Sequence, residues 1–139
     1  MSVKTAEAHW NGTLTEGRGH LKTQSGKLDV DYGWKSRAGD APGTNPEELI
    51  GAAHAACFSM ALSNELGKAG LTATSIEATS TVTLDPAKGA ITQVHVDVVA
   101  AIPGATADQF RDLAETTKVN CPVSKVLAGA DITMAARLG

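Results

Sequence analysis

The chain has 139 residues, of which 42% are hydrophobic and 19% charged, and its formal net charge is −3. This length predicts a single domain, residues 1–139, and the weak charge without like-charge runs argues against nucleic acid and anionic membranes as partners. The polar N-terminus lacks an apolar leader segment, which predicts a cytoplasmic protein.

The first third of the chain favours short strands joined by glycine turns. Alternating residues predict a strand from Val3 to about Gly12 and a second over 20–23, after which Leu28 and Val30 alternate with aspartates. A third extended segment is predicted from Tyr32 to Arg37. Residues 39–43, which contain Gly39, Asp40, Pro42 and Gly43, then form a loop that leads into the main helix.

A long helix is predicted from Pro46 to just before Gly70. Thr44 or Asn45 can act as the N-cap, proline is favoured in the first turn, and Glu48 stands at the capping-box position. Gly70 is a natural C-terminal stop.

The middle of this helix, residues 49–62, carries almost no polar side chain apart from His54 and Ser59. A helix that is apolar all round is buried all round, and this stretch is shorter than the ~20 residues that span a membrane. We therefore predict a long buried central helix. Because the chain is small for such a helix, a second subunit is expected to cover part of it.

After Gly70 the pattern changes to alternation. It predicts a hairpin of two strands, residues 76–84 and 91–100, and then a helix over 106–119 that is opened by the capping box of Thr106 and Gln109. A short helix over 122–127 and a final strand over 132–138 are predicted to follow. This order predicts an α+β fold in which helices pack on an antiparallel sheet.

The two cysteines are the main candidates for chemistry. Cys57 lies in the middle of the apolar helix, and a buried cysteine taken alone is more often an inert hydrophobe. Cys121 precedes Pro122, which can open a helix and leave the cysteine at its N-terminus, where backbone amides stabilise a thiolate. In a reducing compartment such a pair is more often catalytic or redox-sensing than structural. With His54 the pair makes at most a partial zinc ligand set.

Residues 44–61, TNPEELIGAAHAACFSMA, resemble the signature of the OsmC family (osmotically inducible protein C) of thiol peroxidases. Residues 121–124, CPVS, resemble the second-cysteine motif of that family, and Ala8-His9-Trp10 adds to the likeness near the start. The organic hydroperoxide resistance proteins are a similar sister family. His54 and the Phe58-Ser59-Met60 segment resemble OsmC more.

The resemblance implies an OsmC-like intertwined homodimer whose active sites lie at the subunit interface. It implies a peroxidase that reduces organic hydroperoxides and, more weakly, hydrogen peroxide. Cys57 would be oxidised to a sulfenic acid and Cys121 would resolve it as a disulfide, which an external dithiol reopens. The family precedent for that dithiol is a lipoyl group carried on a protein. No metal, haem or flavin is implied.

Cys57 needs a cation to become a thiolate, because it lies far from either end of its helix. The resemblance assigns this role to Arg37, with Arg18 as the alternative, and makes Glu48 the partner of the arginine. Nine residues place Glu48 and Cys57 on opposite faces of one helix, about 13 Å apart along its axis. Glu48 is therefore either only a helix cap or a residue that serves Cys57 of a second subunit, and the resemblance favours the second.

Three alternatives remain open at this point. His54 shares a helix face with Cys57 and is either a base for the thiol or, more commonly for such a residue, a hydrogen-bonded core histidine. The cysteine pair could act as a redox sensor without turnover. The chain could also be a binding module for an apolar molecule, in which Cys57 is an inert core residue.

Overall fold

The structure, a computed structural model, describes all residues from 1 to 139. Its contacts cluster into two compact units, Met1–Leu49 and Ile50–Gly139, and the boundary falls inside one helix. In chain order the elements are β1 (Ala6–Asn11), β2 (Arg18–Thr23), β3 (Asp29–Tyr32), α1 (Trp34–Ala38), α2 (Pro46–Lys68), β4 (Ser75–Asp85), β5 (Ala90–Ala101), α3 (Ala107–Asn120), α4 (Pro122–Val126) and β6 (Asp131–Leu138). The α+β prediction is confirmed.

The first unit contains an antiparallel sheet in the order β1-β2-β3. Gly19 of β2 stands opposite both Trp10 and Tyr32. A Cβ at Gly19 would lie 2.5 Å from the tyrosine ring and 2.8 Å from the tryptophan ring. The missing side chain therefore lets the two rings approach to 5.7 Å between centroids, across the middle strand.

The extended segment predicted from Tyr32 to Arg37 is wrong, because residues 34–38 form the short helix α1. The Ser36 hydroxyl makes the difference: it accepts from the Gly33 N–H at 3.1 Å and lies 2.9 and 2.8 Å from the carbonyl oxygens of Gly33 and Thr44. Local side-chain hydrogen bonds of this kind compete with strand pairing. Arg37 therefore sits in the last turn of a helix.

The second unit contains the sheet β4-β5-β6. The predicted hairpin of β4 and β5 is confirmed, but β6 pairs with β5 in parallel, so this sheet is mixed and not purely antiparallel. The physical reason is the connection between β5 and β6, which runs through α3 and α4. A helical crossover returns the chain to the end of the sheet at which β5 begins, so the next strand runs parallel to β5.

Helix α2 follows the predicted bounds closely and is succeeded by Gly70 with a φ of +73°. One face lies in the core, where Phe58, Leu62 and Leu66 are fully buried. The expected burial on all sides is not reached within one chain, because another face stays exposed along Ala52, Ala53, Ala56 and Met60. Neither α2 nor any other helix has the length and apolar character required to cross a membrane.

Two glycines of α2 provide a matched test of its packing on the sheet. A Cβ at buried Gly51 would lie 3.0 Å from the backbone oxygen of Ser80, whereas one at Gly67 meets nothing within 4 Å. We expect Gly51→Ala to lower the free energy of unfolding by about 1 kcal/mol through overpacking, and Gly67→Ala to raise it by ~0.5 kcal/mol through helix propensity. Urea unfolding at fixed protein concentration measures both. Equal effects of the two substitutions would show that this contact does not restrict α2.

Candidate active site

The two cysteine sulfurs lie 3.1 Å apart, close enough for an S–H···S hydrogen bond. Both are free thiols, since a covalent bond would require about 2.05 Å. Cys57 comes from α2, and Cys121 is the residue at which α3 ends and α4 begins. Pro122 starts α4, as the sequence predicts, and Cys121 still donates its N–H to the Thr117 carbonyl oxygen at 2.9 Å. The pair needs an approach of about 1 Å to form a disulfide.

The two thiols differ in their access to solvent. Cys121 is 0% exposed, whereas Cys57 is partly exposed. Cys57 lines an open groove of about 710 Å³ together with Met60, Asn64, Asn120 and other residues of α2 and α3. A molecule from solution can therefore reach the Cys57 sulfur but not the Cys121 sulfur.

Their acidities also differ. Burial raises the pKa of Cys57, and the hydrogen bond from the Val123 N–H only partly opposes this. Burial alone would also raise the pKa of Cys121, but hydrogen bonds from the Ser124 N–H, from Cys57 and from the Ser124 hydroxyl lower it overall. No cation contributes to the pKa of Cys57. The second unit by itself therefore does not activate the exposed thiol.

His54 is fully buried and is hydrogen-bonded at both ring nitrogens. Nδ1 lies 2.9 Å from the Ser80 hydroxyl oxygen and Nε2 lies 2.8 Å from that of Ser124. Burial lowers the pKa of the imidazole, which favours its neutral form. Of the two predicted roles, the structure has the hydrogen-bonded core histidine, since both nitrogens are occupied by hydroxyl groups and neither is left for the Cys57 thiol.

Arg37 forms its ion pair with Glu47, so the predicted pairing with Glu48 is wrong. The Arg37 Nε donates to both Glu47 carboxylate oxygens at 3.1 and 3.2 Å, and Nη2 donates to Oε1 at 2.7 Å. Glu47 is 9% exposed, whereas Glu48 is exposed and donates its backbone N–H to the Asn45 side chain at 2.9 Å. Within this chain Glu48 therefore belongs to the capped first turn of α2, and Glu47 holds the arginine. Arg18, the alternative cation, is an exposed residue of β2.

Comparison with known proteins identifies the family. A family model described as OsmC-like protein matches residues 38–135. Peroxiredoxin OsmC of Escherichia coli (strain K12) is 48% identical over 134 residues, which cover 94% of this chain and 93% of the relative. The chain belongs to the OsmC family.

Solved structures agree with this assignment. The organic hydroperoxide resistance protein OhrB of Bacillus subtilis superposes with a TM-score of 0.68 at 26% identity, over 96% of this chain and 98% of that one. An organic hydroperoxide resistance protein OsmC from Legionella pneumophila gives a TM-score of 0.74 at 25% identity, over 98% of each chain. The OsmC-like fold predicted from the sequence is therefore confirmed.

The arginine of this OsmC-family chain borders an apolar cavity within the first unit. The cavity has a volume of about 260 Å³ and is lined by Trp10, Leu14, Tyr32, Trp34, Arg37 and Pro46. Its wall is largely apolar and includes three aromatic side chains, and the guanidinium is its one charged group. A molecule with an apolar body and a polar or anionic end fits this combination.

Because of the Arg37–Glu47 pair, the free energy of unfolding of this OsmC-family chain should vary with pH in the acid range. Burial raises the pKa of Glu47, but the hydrogen bonds from Arg37, the hydrogen bond from its own backbone N–H and the charge of Arg37 together outweigh burial and lower the net pKa. A carboxyl with a lowered folded pKa stabilises above its unfolded pKa, and this stabilisation is lost as the pH falls through the folded pKa. Arg37 is partly exposed, so we expect a contribution on the order of 1 kcal/mol. Urea unfolding of the native chain and of Glu47→Gln should differ at pH 7, and the difference should shrink as the pH falls below the ordinary carboxyl pKa of about 4.3; a constant difference would contradict the pairing.

Proposed function

We propose that this chain is a thiol-dependent peroxidase that reduces organic hydroperoxides, with Cys57 as the peroxidatic nucleophile and Cys121 as the resolving thiol. The observation that carries the proposal is the 3.1 Å contact between the two free sulfurs. The enzyme class is that of the relative named Peroxiredoxin OsmC, 48% identical to this chain. The substrate class is supported by the related structures named organic hydroperoxide resistance proteins.

The difference in exposure supports the proposed roles of the two thiols. A hydroperoxide must reach the nucleophile, and Cys57 lines the open groove whereas Cys121 is 0% exposed. A resolving thiol needs only to reach the oxidised sulfur beside it. The lowered pKa of Cys121 suits this role, because resolution requires a thiolate.

The chemistry balances without a cofactor. The Cys57 thiolate attacks the distal oxygen of the hydroperoxide, the O–O bond breaks, and the alkoxide leaves and takes a proton as an alcohol. Cys57 is then a sulfenic acid. The Cys121 thiolate attacks its sulfur and displaces hydroxide, which leaves as water once protonated. Two electrons have passed to the peroxide and one disulfide has formed.

The cation that activates Cys57 is Arg37 of a second copy of the chain. Glu47, which holds Arg37, precedes Cys57 by ten residues on α2, about 15 Å along the helix axis, so one copy of α2 does not bring both to one sulfur. One exposed face of α2 carries three alanines and a methionine, namely Ala52, Ala53, Ala56 and Met60. These apolar and mostly small side chains suit contact with another subunit. The proposed enzyme is therefore a homodimer with its active sites at the interface.

The cavity beside Arg37 would come from the same second copy of the chain and would form the apolar part of the site. Its volume of about 260 Å³ and its tryptophan and tyrosine walls suit an aryl or alkyl group on the hydroperoxide. The guanidinium at its edge would stabilise the charge that develops on the peroxide oxygens. The proposal therefore favours organic hydroperoxides over hydrogen peroxide.

The cycle closes with an external dithiol, for which the family precedent is a lipoyl group. One thiolate of the dithiol opens the Cys57–Cys121 disulfide through a mixed disulfide, and its second thiol completes the exchange. No bound cofactor is needed, because the electrons come from this partner.

The test is hydroperoxide consumption by the purified chain with excess dihydrolipoamide, beside the same protein alkylated at its thiols. We expect sustained consumption of cumene hydroperoxide that alkylation abolishes, and sedimentation as a homodimer. Consumption of one equivalent with disulfide formation but no turnover would identify a redox sensor instead. Thiols that do not react in the native state would contradict both roles and favour the binding module.

A further inference from the structure

His54 and Ser124 form a second contact between the two segments that carry the cysteines. His54 precedes Cys57 by three residues on α2, and Ser124 follows Cys121 by three residues. The His54 Nε2 and Ser124 Oγ are 2.8 Å apart, beside the 3.1 Å contact of the sulfurs. The segments therefore meet at two matched points in antiparallel order, one redox-active and one not.

This polar contact lies in an apolar environment. His54 is 0% and Ser124 is 3% exposed, and Phe58 packs edge-on against the imidazole at 6.4 Å between centroids. A buried hydrogen-bonded pair adds little net stability, but any slip that unpairs it leaves buried polar atoms without partners. Its main effect is to select one register of the Cys121 segment on α2, the register that brings the sulfurs together.

The direction of the hydrogen bonds matters for Cys121. A neutral imidazole has one N–H donor and one acceptor nitrogen. If the Ser80 hydroxyl donates to Nδ1, the Nε2–H donates to Ser124 Oγ, and the Ser124 hydroxyl proton is left for the Cys121 sulfur. In the other tautomer the Ser124 proton is used on Nε2. Only the first arrangement leaves the serine hydroxyl free to donate to the Cys121 thiolate, an interaction that would lower the pKa of Cys121, in the direction found for this thiol.

We propose that His54 is a positioning residue for the resolving step: through Ser124 it holds Cys121 in register with Cys57 and directs the serine hydroxyl proton to the Cys121 thiolate. This inference rests on the peroxidase function proposed above. In the step it assists, the Cys121 sulfur forms the S–S bond, the S–O bond of the Cys57 sulfenic acid breaks, and hydroxide leaves as water after protonation. The earlier cleavage of the O–O bond at Cys57 does not involve the hydrogen-bonded pair of His54 and Ser124, which we call the clamp.

The experiment separates the two steps in Ser124→Ala, with Ser124→Thr as the conservative variant that keeps the hydroxyl. Ser59→Ala is the matched control, since the Ser59 hydroxyl bonds only to the Ala56 carbonyl oxygen, at 2.9 Å, on the same helix. Each protein is mixed with one equivalent of cumene hydroperoxide, quenched at intervals with dimedone and analysed by mass spectrometry. A dimedone adduct on Cys57 reports the sulfenic acid. A protein mass that is lower by two hydrogens and carries no dimedone reports the disulfide.

We expect Ser124→Ala to oxidise Cys57 within about twofold of the native rate but to form the disulfide roughly tenfold more slowly, so that dimedone-labelled Cys57 accumulates. Ser124→Thr should restore most of the resolving rate, and Ser59→Ala should leave both rates unchanged. Equal slowing of both steps would reduce the clamp to a purely structural role, and unchanged resolution would overturn the proposal.

A second measurement uses the native protein and does not depend on how a variant folds. Nitrogen-15 NMR of the imidazole distinguishes the tautomers, and we expect His54 to carry its proton on Nε2. A proton on Nδ1 would overturn the proposal even in a chain that reduces hydroperoxides. Conversely, a native protein that consumes no hydroperoxide but carries the Nε2 proton would contradict the proposed function while leaving the clamp geometry in place.

Discussion

Cys57→Ser is expected to abolish hydroperoxide turnover, with a loss of at least about 10³-fold, because a serine hydroxyl at neutral pH is a far weaker nucleophile than a thiolate. The substitution removes only the partly exposed sulfur of the pair, so the fold and the buried Cys121 should be kept. Consumption of cumene hydroperoxide with excess dihydrolipoamide measures the loss, and circular dichroism checks the fold.

Cys121→Ser is the matched control, since it changes the same atom in the other member of the pair. This variant should consume one equivalent of hydroperoxide rapidly and then stop or turn over slowly, because the Cys57 sulfenic acid has no thiol beside it. Dimedone should label the intermediate in Cys121→Ser and not in Cys57→Ser. If Cys121→Ser lost the first equivalent and Cys57→Ser kept it, the roles of the two cysteines would be reversed.

Glu47→Gln is expected to slow the oxidation of Cys57 by about 10²-fold, because the Arg37 guanidinium loses the carboxylate that orients it. Arg37→Met, which removes the cation itself, should cost about 10²–10³-fold. Glu48→Gln is the adjacent control: its side chain is exposed, and its capping contact uses the backbone N–H. It should stay within about threefold of the native rate.

The rate to measure is the second-order rate of the first oxidation, in the absence of reductant, so that resolution and recycling do not enter. The pairing inferred from the family resemblance gives the opposite ranking, with Glu48→Gln as the damaging change. Equal, small effects of all three substitutions would mean that Arg37 does not act on Cys57 at all. Arg18→Met would then be the next variant to examine.

The sequence predicted those elements whose signals are local and strong. Asn45, Pro46 and Gly70 mark the ends of α2 by capping and backbone geometry, and strict alternation defines the β4–β5 hairpin. The parallel pairing of β6 depends on the path of the chain through α3 and α4, which no local pattern encodes. Strand composition alone therefore left the sheet antiparallel.

The candidate site was likewise predicted only where its signals are local. The two cysteine contexts are sequence motifs, and the structure brings their sulfurs into contact. The sequence did not identify the carboxylate that holds Arg37. Two adjacent glutamates begin α2, and only their positions around the helix decide which of them faces the arginine. The helix of residues 34–38 was missed for a related reason: one of the Ser36 hydrogen bonds that favour it reaches the Thr44 carbonyl oxygen, eight positions along the chain.

The contact between the two sulfurs has a further consequence for survival of the protein under heavy oxidant load. A sulfenic acid that waits for its partner can be attacked by a second hydroperoxide and lost irreversibly as a sulfinic acid. In the proposed cycle the competing thiol is already in place at 3.1 Å, so the intramolecular reaction would have an effective concentration far above that of any oxidant in solution. The proposed peroxidase should therefore inactivate rarely, and its capacity should be limited by the supply of reductant before it is limited by damage to Cys57.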